Sequence, residues 1–118
     1  MAEYTVKIDL PNHRSWDRWP GIASIGPVLI NGSQPESPLT RVRMHFQSGF
    51  GVKYNLDSDA GQSPDAPILI VNANTWIARI PEVENFLPMA GKWLWDMAFY
   101  QAGKTAPLTL YKGEIIVT

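Results

Sequence analysis

The sequence predicts an all-β protein, a single antiparallel β-sandwich of Ig-like or Greek-key type with seven to eight strands and at most one short helical turn. Three observations carry that expectation. Val42, Met44 and Phe46 alternate with Arg41, Arg43, His45 and Gln47, the pattern of a strand with one dry face and one wet, basic face. Trp93, Trp95, Met97 and Phe99 repeat at the same period, opposite Leu94, Asp96, Ala98 and Tyr100, as in a strand packed against a second sheet. Ten prolines and nine glycines are scattered through 118 residues, which suits many short strands and suits long helices poorly. That length gives one core and is too short for two ordinary domains, so residues 1–118 read as one domain.

Taken in order, Tyr4, Val6, Ile8 and Leu10 alternate with polar residues and predict a half-buried opening strand that Pro11 stops. Residues 12–21 mix Trp16 and Trp19 with Arg14 and Arg18 without a clean period; they are expected to connect strands across one end of the sandwich. Residues 22–30 are apolar and β-branched around Gly26-Pro27, and predict one strand with a bulge or an edge position at the proline. Asn31-Gly32 signals a tight turn, and residues 33–38 an irregular polar loop. After the strand through Phe46, Phe50, Val52, Tyr54 and Leu56 predict another, set off by Gly49 and Gly51. A turn-rich loop covers 57–65, and residues 68–71 form a short apolar strand. Asn72-Ala73-Asn74 then turns the chain into Trp76, Ala78 and Ile80, a strand that Pro81 closes. Val83, Phe86 and Leu87 place the one helical turn within 82–90, kept short by Pro88. In the last strand Leu108 and Leu110 share a face with Ile115 and Val117 only if Lys112-Gly113 absorbs one residue as a bulge.

Composition excludes several classes of function. The formal net charge of −1 makes neither nucleic acid nor an anionic membrane the expected partner. With no cysteine there is no disulfide, thiol nucleophile or cysteine-based metal site. The opening Met1-Ala2-Glu3-Tyr4 has no basic region or apolar core, and no apolar run approaches the roughly 20 residues of a membrane helix. Neither secretion through a signal peptide nor membrane insertion is expected.

Catalytic and metal-binding patterns are not displayed. His13 and His45 stand in different segments without carboxylates at ligand spacing, so no metal and no cofactor is expected. No serine lies in a Gly-x-Ser-x-Gly context, and Gly49-Phe50-Gly51 lacks the further glycines and helix of a phosphate loop. Asp57-Ser58-Asp59 with Asp65 resembles a calcium loop in composition but not in spacing, and reads as an aspartate-rich turn. No pair of acids is nominated for glycoside hydrolysis. Asp96 stands among tryptophans; if buried it needs a partner, for which Arg41, Arg43 and Arg79 are candidates. Trp76, Trp93 and Trp95 read as core, whereas Trp16 and Trp19 fit a plug for the open end of the core, a protein contact or a platform for sugar rings.

The succession Arg18-Trp19-Pro20-Gly21-Ile22, Pro38 to Phe46, Asn74-Thr75-Trp76 with Ile80-Pro81, Ala90 to Asp96 and Tyr111 to Val117 resembles small bacteriophage and prophage structural proteins, similar to the N-terminal β-sandwich of siphophage baseplate upper proteins. The likeness covers most of the chain from Arg18 onward, through structural motifs. It differs in reaching Thr118 directly after the closing strand, with no fibre or receptor-binding region behind it. The resemblance implies a non-enzymatic virion assembly module of a tail or baseplate, made in the bacterial host cytoplasm, that forms homo-oligomers and docks on other virion proteins. The expected contact surface comprises Arg14, Trp16, Arg18 and Trp19, with Arg41, Arg43 and His45 from the wet strand. The alternative from another class is a carbohydrate-binding module for a host-surface glycan, with Trp16 or Trp19 as its platform.

Overall fold

Eight strands arranged in two sheets make up the computed structural model, which describes residues 6–30, 32–59 and 68–118. In chain order they are β1 (Val6–Lys7), β2 (Ile22–Ile25), β3 (Leu39–Ser48), β4 (Lys53–Asp57), β5 (Leu69–Asn72), β6 (Ile77–Ile80), β7 (Gly91–Gln101) and β8 (Leu108–Val117). One sheet has the order β1-β8-β7-β3-β4 and the other β2-β6-β5. The architecture is that of an all-β sandwich, and no helix forms among the described residues.

The alternation read from β3 and β7 has a direct packing consequence. Val42, Met44, Phe46, Trp93, Trp95, Met97 and Phe99 are buried on the inner face of the large sheet, against Ala78 and Ile80 of the small one. Trp76 stacks on Phe99 across that core with centroids 5.9 Å apart, and its indole N–H donates to the Ser37 carbonyl at 2.8 Å. Burial of a Trp is tolerated because its one polar atom finds an acceptor.

Several elements differ from expectation for identifiable reasons. Residues 82–90 are not helical: Val83 forms an antiparallel bridge with Trp19, with hydrogen bonds of 2.8 Å in both directions. That ladder satisfies the backbone that a helix would have satisfied internally. Its apolar residues Val83, Phe86 and Leu87 are buried, so the helical spacing reflected burial alone. Strand β2 ends at Ile25, before the cis Gly26-Pro27 bond, and does not continue to Ile30. Ile30 and Ser33 close a tight turn by reciprocal bonds of 2.8 and 3.1 Å; Asn31 itself lies outside the described residues.

Phe50 belongs to no strand. It sits at the β3–β4 hairpin tip and is 84% exposed, with Ser48 Oγ accepting from the Phe50 and Val52 N–H groups. The opening segment also departs from the half-buried strand, since Val6 and Ile8 are exposed; Tyr4 lies outside the described residues. It runs parallel to β8, from Val6 opposite Tyr111 to Ser15 N–H on the Thr118 carbonyl, and covers that edge of the sheet. The bulge in β8 falls at Leu110, because Met97 pairs with Tyr111 and Ala98 with Thr109. Gly113 serves another purpose: a Cβ there would overlap the Ile8 carbonyl oxygen, so glycine admits the opening segment.

Candidate interaction surface

Residues 12–21 carry four of the expected contact residues, and the fold separates them. Trp19 is buried, stacked on Phe86 with centroids 4.3 Å apart, and plugs the core beneath the 82–90 segment. It is therefore not a surface residue, which corrects its place in the expected contact set. Three residues earlier, Trp16 is 59% exposed. The Asp17 N–H donates to the Arg14 carbonyl at 3.0 Å, which makes Trp16 the third residue of a four-residue turn, with φ 67°. That position favours Gly or Asn, and a bulky side chain there costs about 1–2 kcal/mol. Arg14 is exposed, and Arg18 lies 3.5 Å from Glu82 in an ion pair whose side chains are both more than half exposed.

Trp16 is joined by other apolar groups at the same end of the molecule. Lys92 pairs with Ile116, Trp93 with Ser48, and Gly91 with Val117, so the start of β7, the end of β8 and the β3–β4 tip share that end. Ser15, next to Trp16, is hydrogen-bonded to Thr118 there. Phe50, Leu94 and Ile116 are exposed by 84%, 57% and 40%. A cavity of about 380 Å³ opens beside Leu94, lined also by Gln47, Ser48, Gly49 and Lys92. Exposed apolar groups gathered in one region mark contact surfaces more often than singly scattered ones do.

The outer face of β3 holds the remaining expected residues away from the Trp16 turn in sequence and chemistry. Arg41 Nε donates to Asp57 Oδ1 at 2.9 Å and its Nη2 to Oδ2, a two-pronged grip on a buried carboxylate, while the guanidinium lies 5.2 Å from the Tyr100 ring centroid. Burial pushes the Asp57 carboxyl up, but the Arg41 hydrogen bond, the Asp59 N–H and the charges of Arg41 and Arg43 together hold it below the ordinary carboxylate range. The same hydrogen bond to Asp57 raises Arg41. Arg41 is thus a structural anchor for the β3–β4 pair. Arg43 is half-buried with its Nε buried and without a partner. His45 Nδ1 donates to Asn55 Oδ1 at 2.5 Å.

Asp96, the acid singled out by its neighbours in sequence, faces outward between His45 and Lys112 in the strand register. Its three candidate arginines do not reach it: Arg41 is engaged by Asp57, and no ion pair of Asp96 forms among the described residues. His13 is buried, its Nε2–H donating to the Phe86 carbonyl at 2.9 Å, and so fastens the opening segment to residues 82–90. Asp57 and Asp59 belong to the Arg41 anchor, and Asp65 lies outside the described residues; among the described residues no group of three His, Asp or Glu side chains is arranged to hold a metal. No described helix is long and apolar enough to cross a membrane.

The class defined by this geometry is an all-β sandwich with aromatic side chains displayed at one end. No family model, curated protein or solved structure matches the chain.

Proposed function

We propose that the protein is a non-enzymatic assembly module that associates with further copies of itself through the sandwich end bearing Trp16, Phe50, Leu94 and Ile116. The single observation behind this reading is Trp16: a large aromatic side chain in left-handed backbone that is 59% exposed, so burial in its own chain offsets the strain only in part. Contact with a neighbouring molecule supplies the rest, and tryptophan is the side chain that contributes most per residue at such contacts. The absence of strong net charge favours self-association, since like molecules then repel weakly. A phage or prophage tail is the setting that the resemblance implies for such a module, with other virion proteins as further partners.

Light scattering across a dilution series tests the reading. The wild-type chain should show a multiple of the monomer mass that falls on dilution, and Trp16→Asn should weaken association by about 30-fold or more. A monomer at every concentration, or an unchanged mass in Trp16→Asn, would contradict it.

A further inference from the structure

A second site lies on the outer face of the large sheet. The strand register places five polar side chains in one transverse row, Asn55, His45, Asp96, Lys112 and Lys7, on β4, β3, β7, β8 and β1 in turn. Residues opposite each other in register project from the same face, so the row is built by the pleat. Four of the five, all but Asn55, line a groove of about 660 Å³ whose floor also includes Gln47 and Leu94. That volume falls within the range of small-ligand sites.

The charges in this groove do not all favour the sheet: Asp96 stands opposite Lys112 in register, but Lys7 faces the same lysine from the other side. Lys7 and Lys112 stand directly opposite each other, a like-charged pair that disfavours the β1–β8 pairing, and neither has an ion-pair partner among the described residues. Asp96 beside them has none either. Glu114, the other acid of the groove, is taken by Lys92 at 3.2 Å. Since Asn55 accepts from Nδ1, His45 Nε2 is left as a further polar atom, and Gln47 lies two residues along the same strand.

We propose that this groove binds an acidic sugar. Its carboxylate meets Lys7 and Lys112 and relieves their repulsion. Asp96 selects against a bare anion and accepts instead from hydroxyl groups, which also reach His45 Nε2 and the Gln47 amide. The exposed side chain of Leu94 receives the C–H face of the ring. The site shares no aromatic platform with the glycan reading of Trp16 and Trp19; it borders the self-association end at Leu94, while its row of charges is an observation separate from that reading.

Titration of the full-length protein with glucuronate, glucose and inorganic phosphate, followed by amide chemical shifts, tests the assignment. Glucuronate should saturate, with the largest shifts at Lys7, Gln47, Asp96 and Lys112, and should bind at least about tenfold more tightly than glucose or phosphate. Lys112→Gln should lower glucuronate affinity about tenfold and leave glucose binding unchanged, its fold verified in the same spectra. Phosphate binding as tightly as glucuronate would overturn the role of Asp96, and glucose binding equally well would overturn the role of the lysines. No saturable shift with any of the three would overturn the site.

Discussion

Three large apolar residues adopt left-handed backbone, Trp16 at φ 67°, Trp76 at φ 56° and Leu87 at φ 50°, and their side chains meet opposite fates. Trp76 and Leu87 are fully buried, while Trp16 is 59% exposed. The backbone cost is similar at all three, about 1–2 kcal/mol. At Trp76 and Leu87 it is offset within the chain, because burying a large apolar side chain contributes about 1.5–3 kcal/mol. The turn at Trp16 has less such compensation in the monomer, because more than half of its side chain stays in solvent. Strain that the fold compensates only in part is the reason for placing the contact surface there.

The largest test of that contrast is at the buried positions. Trp76→Ala should lose about 3–5 kcal/mol in urea unfolding, since it removes the Phe99 stack while alanine's Cβ keeps the backbone strain. Leu87→Asn, which suits left-handed backbone, should nonetheless destabilise by about 2–4 kcal/mol through lost burial. A stabilised Leu87→Asn would break the comparison, by showing that strain outweighs packing there.

The same contrast appears among the charges, with Asp57 compensated by Arg41 and the Arg43 Nε without a partner. Arg41→Ala should cost about 2–3 kcal/mol at neutral pH, less than for a fully buried pair because Arg41 is partly exposed. The sign with pH follows from the lowered Asp57 carboxyl. Its contribution is present above the unfolded value, about 3.9, and is lost as pH falls through the lower folded value. In Arg41→Ala the hydrogen bond and charge of Arg41 no longer oppose burial, which shifts Asp57 toward the protonated acid even though the Asp59 N–H and Arg43 remain. The stability gap between variant and wild type should therefore narrow on acidification to about pH 3, as read by unfolding at both pH values. A gap that widens would contradict the anchor.

Smaller effects sharpen the picture at the exposed end. Phe50→Ser should change monomer stability by no more than about 0.5 kcal/mol, because Phe50 touches solvent on nearly every side. Its association should nevertheless weaken in light scattering.

Much of the fold was legible because β3 and β7 carry a strict period of two, and each has one side that must be buried. Period alone does not name a strand's neighbour, so the parallel pairing of the opening segment with β8 could not be read from Val6, Ile8 and Leu10. The bulge was legible in number and not in place: the pattern of Leu108, Leu110, Ile115 and Val117 requires one extra residue without saying where. Gly113 drew the expectation, but its missing side chain makes room for Ile8. In the contact segment, Trp16 and Trp19 have equal composition and no periodicity to tell them apart. What separates them is the ladder between Trp19 and Val83, a contact 64 residues apart that local reading does not see. The groove row was hidden for a similar reason, since Lys7 and Asp96 become neighbours of Lys112 only through register.

Thermal unfolding of wild type and Trp16→Asn over a hundredfold range of protein concentration tests the central claim most directly. Association stabilises the folded state by mass action, so the wild-type midpoint should rise with concentration. Trp16→Asn should be more stable than wild type at the lowest concentration, by up to about 1 kcal/mol, because it relieves the turn. It should lose that advantage as concentration increases, and the two curves should cross. Parallel curves with no dependence on concentration would contradict the account, as would a variant less stable than wild type throughout.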